Sequence, residues 1–125
     1  MPTGPLLSKR LQNIFSTIQE ITTEILLQKI NNKSSCYIID VREEAEWYQG
    51  AIPEAIHIPR GYLELHIEQI APDPNAEIIL YCGGGTRSAL AAENLQNMGY
   101  QNVKSLKGGF RSWVAVGLLT TSSRT

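Results

Sequence analysis

Long apolar runs are missing from this 125-residue chain, and so is an excess of charge of either sign. No stretch reaches the roughly 18–20 apolar residues that span a bilayer, so no membrane helix is expected. Eleven basic side chains against twelve acidic ones give a formal net charge of −1. That argues against a nucleic-acid partner, which requires surplus cations to displace counterions. Cysteine is scarce: Cys36 and Cys82 are the two, without CxxC spacing. They are too few for a disulfide scaffold and fit a reducing cytoplasm. The two histidines, His57 and His66, have no second ligand at metal spacing; both read as packing or surface residues, and no metal or cofactor is expected. At the amino end, Lys9 and Arg10 follow "MPTGPLLS" and polar residues interrupt "LQNIFSTIQEI". With neither an unbroken apolar core nor a small-residue cleavage site, a secretory signal is not expected.

What the chain does contain is an alternation of short β-branched runs with longer helical patterns, at a length that suits one domain. Leu6, Leu7, Leu11, Ile14, Phe15 and Ile18 recur at three- and four-residue steps, predicting an amphipathic helix over residues 5–17. The organisation expected is an extension over 1–17, a main domain over 18–120 and a polar tail over 121–125. In the main domain, "IQEI" reads as an edge strand and Thr22 or Thr23 as the cap of the next helix. "CYIIDV" reads as a buried strand and "REEAEWY" as a short helix. "AIHI" is a further strand after the turn at Gly50 and Pro53, and "GYLELHIEQI" is helical. "EIILY" is the clearest strand and "RSALAAENLQNMGY" the clearest helix, closed by Gly99; "NVKSL" and "GGFRSWVAVG" supply the last strand and helix. Strands alternating with helices imply an α/β fold, a parallel sheet with helices on both faces, whose ligands bind beyond the carboxyl ends of the strands.

Cys82 stands at such an end, in "YCGGGTRSAL". The thiolate is the reactive form of cysteine, so a nucleophilic cysteine needs surroundings that favour negative charge. The helix starting near Thr86 to Ser88 aims unpaired N–H groups and a positive dipole end back at it. Gly83, Gly84 and Gly85 let successive amides turn inward as an anion-holding nest, and Arg87 adds a fixed positive charge. Two plainer readings compete: a tight turn with an inert packed cysteine, and a phosphate or dinucleotide loop. The second lacks both GxGxxG and GK[ST]. A cysteine phosphatase loop places five residues between Cys and Arg, whereas this loop places four, which accommodates phosphate oxygens poorly.

"DVREEAEWYQGAIPEAIHIPRGYLE", "YCGGGTRSALAAENLQNMGY" and "LKGGFRSWVAVG" look like three motifs of a single-domain rhodanese, in that family's order and spacing over roughly residues 18–120. The resemblance implies the rhodanese-like fold, a five-stranded parallel sheet between helices, with a six-residue active loop from Cys82 to Arg87. It implies a sulfurtransferase that takes a sulfane sulfur from a donor such as thiosulfate, holds it as a persulfide on Cys82, and passes it to cyanide or a thiol. Gly83, Gly84, Gly85, Thr86, Arg87 and Ser88 would then hold the persulfide, and Asp40, Arg42 and Glu46 would brace the loop. Gly50, Ile52 and Pro53 match the family's turn, although Ala51 stands where histidine is common and Glu54 where glycine is common. Gly108, Gly109, Phe110 and Trp113 match the terminal motif, as close packing and core. The loop offers no cation before Arg87, so weak thiosulfate binding is expected. A low-molecular-weight thiol persulfide, or a persulfide on a protein such as a cysteine desulfurase, suits a neutral rim. Arg60 reads as a solvated surface residue, and Cys36 as inert. Alternatives kept open are a non-turnover sulfur carrier or interaction module and, disfavoured by loop length, a phosphatase or arsenate reductase on this fold. The N-terminal helix either packs on its own domain or docks a partner, with monomer and homodimer both open.

Overall fold

The computed structural model describes residues 4–121; residues 1–3 and most of the expected polar tail, 122–125, lie outside the described residues. Five strands form one parallel sheet: β1 (Gln19–Ile21), β2 (Tyr37–Asp40), β3 (Ile56–His57), β4 (Ile78–Tyr81) and β5 (Val103–Leu106), in the order β1-β5-β4-β2-β3. All four residues of central β4 are buried, as a sheet covered on both faces requires. Alternation along the strands divides the core in two. Ile39, Ile78 and Leu80 face Leu63, Ile67, Ala91 and Leu95. Ile38, Ile79 and Tyr81 face Leu26, Leu106 and Trp113 on the other side. Each such isoleucine or leucine taken out of water contributes about 1.5–3 kcal/mol.

Among the described residues, six α-helices connect or flank the strands: α1 (Pro5–Phe15), α2 (Thr23–Asn31), α3 (Glu44–Tyr48), α4 (Leu63–Ile70), α5 (Thr86–Met98) and α6 (Gly109–Ala115). Thr22 caps α2 by accepting from the Ile25 amide at 3.3 Å. Glu43 and Glu46 close a capping box on α3, so the "REE" stretch leads into the helix and Arg42 stays outside it. Gly99 ends α5 in the left-handed conformation. Among the described residues, no helix is long and apolar enough to cross a membrane.

Helix α1 ends at Phe15 and lies against α5, with Ile14 fully buried and an Arg10–Glu93 ion pair tying the two. Leu6, Leu7 and Phe15 remain exposed, so only part of the expected stripe is covered. Two local features depart from the sequence reading. Cys36 precedes β2 rather than opening it. Thr121, placed in the tail, bridges to Ala51: its amide donates to the Ala51 carbonyl at 2.9 Å, and the Ala51 amide donates to the Thr121 Oγ1 at 3.1 Å. Glu54 takes φ +70, the left-handed region natural to glycine, so the turn keeps its shape with a strained residue in it.

Candidate functional site

The sheet delivers Cys82 just past the end of β4, 1 % exposed. Its Sγ accepts hydrogen bonds from two amides, Gly85 at 3.1 Å and Ser88 at 3.3 Å. Ser88 is the third residue of α5, whose amide has no partner inside the helix. Sulfur therefore does what an N-cap side chain does elsewhere, and the helix end contributes its positive dipole. Below the sulfur a buried hydroxyl pair completes the cradle: the Ser88 Oγ lies 3.5 Å from Sγ and 2.8 Å from the Ser105 Oγ. Ser105, fully buried on β5, is a member of this cluster that the sequence reading omitted; an isolated serine in a strand carries no signal of it.

The three glycines serve different ends. Gly85 alone has a left-handed backbone, φ +107, at the turn into α5. A Cβ on Gly83 would stand 3.1 Å from the Arg87 guanidinium, and one on Gly84 would stand 3.4 Å from that of Arg111. These two are small so that cations can approach the loop rather than because their backbones are unusual.

Arg87 is held by Glu46 through paired bonds of 2.8 and 3.1 Å, so α3 is tied to the loop across 41 residues of sequence. That hydrogen-bonded pairing lowers the Glu46 carboxyl below the ordinary glutamate range. A carboxyl lowered in the folded state adds stability above its unfolded pKa and loses it as pH falls through the folded value. The brace should thus be intact at neutral pH and open only in acid. Glu46→Gln is expected to leave the fold standing, since both partners are over a third exposed, while slowing Cys82 chemistry several-fold and flattening the acid limb of its pH profile. Thiol labelling rates across pH check this; an unchanged acid limb would refute the brace.

Among the described residues, neither Asp40 nor Arg42 pairs with Arg87 or hydrogen-bonds to residues 82–87. They form a buried pair, with the Arg42 Nε 3.1 Å from each Asp40 oxygen and the Nη2 at 2.7 Å, while Nη2 also donates to the Gly50 carbonyl at 2.7 Å. The guanidinium lies 4.2 Å over the Phe110 ring, and the Phe110 amide donates to the Cys82 carbonyl at 2.8 Å. Support from this pair reaches the loop through Phe110.

Helix α6 clamps the loop from the other side. The Arg111 amide donates to the Gly83 carbonyl at 3.0 Å, and Gly109 has φ +58. A Cβ on Gly109 would lie 2.8 Å from the Gly83 carbonyl carbon and oxygen and closer still to the Cys82 carbonyl. Left-handed strain and overpacking together should make Gly109→Ala destabilising by about 3 kcal/mol, read by chemical denaturation. Gly61→Ala, where a Cβ meets open space, is the control expected to be near neutral.

Beside the loop opens a pocket of about 580 Å³ lined by Arg42, Glu46, Gln49, Gly83, Phe110, Arg111, Val114 and Ala115. Its rim is not neutral: the cation that the loop sequence lacks comes from Arg111, 24 residues beyond Arg87 in the chain. Arg60 pairs with Glu64 at 2.9 Å and is no part of this pocket. His57 donates from Nε2 to the Arg42 carbonyl at 2.8 Å and stacks on Trp47. Partial burial pushes the Cys36 thiol up, with Glu77 adding to it.

A family model described as "Rhodanese-like domain" matches residues 22–116. A protein named sulfurtransferase from Allochromatium vinosum is 33% identical over 101 residues, 81% of this chain and 92% of that protein. The Bacillus subtilis protein YrkF, provisionally named a sulfur carrier protein, is 36% identical over 98 residues, 78% of this chain and 52% of its own length. Among solved structures, the Rhodopseudomonas palustris protein RPA3614, of unknown function and described as a possible tyrosine phosphatase, superposes with TM-score 0.82 at 31% identity over 97% of this chain and 99% of that one.

Proposed function

Because the chain belongs to the rhodanese-like domain family, we propose that it is a sulfurtransferase that carries a sulfane sulfur as a persulfide on Cys82. The observation that supports this best is the pair of amide donors, Gly85 and Ser88, aimed at the Sγ. They stabilise the thiolate that must act as nucleophile. With thiosulfate as donor, the thiolate attacks the outer sulfur; an S–S bond forms on Cys82, the S–S bond of thiosulfate breaks, and sulfite leaves with the electron pair. The terminal sulfur then sits about 2.05 Å beyond Sγ. Thr86 and Arg87, in the first turn of α5, have amides without intrahelical partners and are the donors for it, in the manner of an oxyanion hole. Cyanide or a thiolate next attacks that terminal sulfur, takes it away and restores the Cys82 thiolate. No external oxidant is required, and free thiols throughout suit a reducing cytoplasm.

The test is intact-protein mass spectrometry after incubation with thiosulfate, with an organic persulfide, or with a cysteine desulfurase and cysteine, followed by cyanide. A single-sulfur adduct discharged as thiocyanate is expected; no adduct from any donor sinks the proposal. The likeness to YrkF favours one alternative, a sulfur carrier that loads but does not turn over. An adduct stable to cyanide and small thiols, yet discharged by a protein acceptor, would select it. Phosphoryl transfer is not proposed, since four residues separate Cys82 from Arg87.

A further inference from the structure

The cations around the loop differ in what they are free to do. Arg87 is committed to Glu46 and Arg42 to Asp40, the latter only 4 % exposed. Among the described residues, the Arg111 guanidinium has neither a carboxylate nor a side-chain hydrogen-bond partner, and it is exposed to solvent. Its position is nonetheless set by the loop, because its own amide binds the Gly83 carbonyl at 3.0 Å and its guanidinium approaches Gly84. One uncommitted positive charge therefore reaches the loop that carries the nucleophile.

The pocket under that charge is the second observation. At about 580 Å³ it falls in the size class of sites that enclose organic ligands, about 300–1,000 Å³, and far exceeds an inorganic ion of a few atoms. Phe110, Val114 and Ala115 line it with apolar surface, and Gln49 offers an amide. Resting on the sulfur-transfer reading above, we infer that Arg111 is the specificity-determining residue for the donor, and that the donor is a low-molecular-weight organic persulfide carrying a carboxylate. The carboxylate pairs with Arg111, the organic chain lies along the apolar lining, and the sulfane sulfur reaches Cys82. In that step the Cys82 thiolate attacks the terminal sulfur of the persulfide, its S–S bond breaks, and the donor thiolate leaves with the electron pair.

The experiment follows single-turnover loading of Cys82 by intact mass in the wild type, Arg111→Ala and Arg111→Glu, all as full chains. The probes are glutathione persulfide, which carries carboxylates; cysteamine persulfide, which carries none; and thiosulfate. An exposed ion pair of up to about 1 kcal/mol corresponds to about five-fold, so Arg111→Ala should raise the half-saturating concentration of glutathione persulfide by about that factor. Arg111→Glu should raise it further, with the limiting rate unchanged and cysteamine persulfide unaffected or improved. The wild type should also load from glutathione persulfide at lower concentrations than from thiosulfate. Equal loading of the three proteins by glutathione persulfide overturns the inference while leaving sulfur transfer intact. A charge effect confined to thiosulfate overturns the organic donor in favour of the inorganic anion. No adduct in the wild type from any probe sinks the sulfur-transfer reading itself and this inference with it.

Discussion

Cys82→Ser is expected to bring sulfur transfer to background while leaving the protein folded. Serine is close in shape, and its oxygen can accept from the same Gly85 and Ser88 amides that now reach the Sγ. The melting temperature should move by less than about 5 °C, a loss of order 1 kcal/mol at most. Chemistry has no such tolerance. An alcohol is scarcely ionised at neutral pH, and oxygen does not accept and release sulfane sulfur as a thiolate does. Mass spectra of the variant after exposure to any competent donor should therefore show no single-sulfur adduct. A persisting adduct would move the carrier to Cys36, a half-buried thiol whose pKa is raised, and would separate the cradle at residues 82–88 from the reaction.

The second large effect is one of stability. Asp40→Ala removes the only carboxylate paired with Arg42 among the described residues and leaves a buried guanidinium facing the Gly50 carbonyl and the Phe110 ring. Breaking a buried pair from one side typically costs about 3–5 kcal/mol, because the remaining charge stays desolvated. Against a total stability of about 5–15 kcal/mol, that brings the protein close to unfolding. Urea denaturation of Asp40→Ala beside the double variant Asp40→Ala/Arg42→Met separates the causes. Removing both charges should recover much of the loss. If the double variant is as unstable as the single one, the damage comes from lost packing rather than from the orphaned charge. In the double variant the loop also loses the guanidinium beneath Phe110, so transfer should fall by more than the folded fraction does.

The central sheet was legible in the sequence because β2 and β4 are short apolar runs, YIID and IILY, a pattern set by burial on both faces. The cradle was legible for a different reason: Cys82, its glycines and the helix that follows are contiguous, so local chemistry suffices to assemble them. What could not be read depends on contacts between distant elements. An ion pair between the "DVREEAE" stretch and Arg87 could be anticipated, but not that Glu46, rather than Asp40, would make it. The hydroxyl of Ser105 and the guanidinium of Arg111 reach the loop through the register of β5 and the docking of α6. The expectation of a neutral rim came from reading the loop alone, whereas the rim is shared between two segments. Likewise the sequence reading gives Gly83 and Gly84 the freedom to turn their amides inward, whereas their smallness matters because side chains from elsewhere crowd them.

The strand order β1-β5-β4-β2-β3 also has a consequence for how the protein is made. Synthesis runs from the amino end, so β1 leaves the ribosome early, yet its sheet partner is β5. Until residues 103–106 emerge, β1 has no neighbour and β4 has one open edge. Gly109, Phe110 and Arg111 follow later still, and they supply the clamp on the Cys82 and Gly83 carbonyls. A nascent chain thus exposes its thiol before the clamp that fixes the loop exists, and a chain truncated between Cys82 and α6 would have the nucleophile without its full setting.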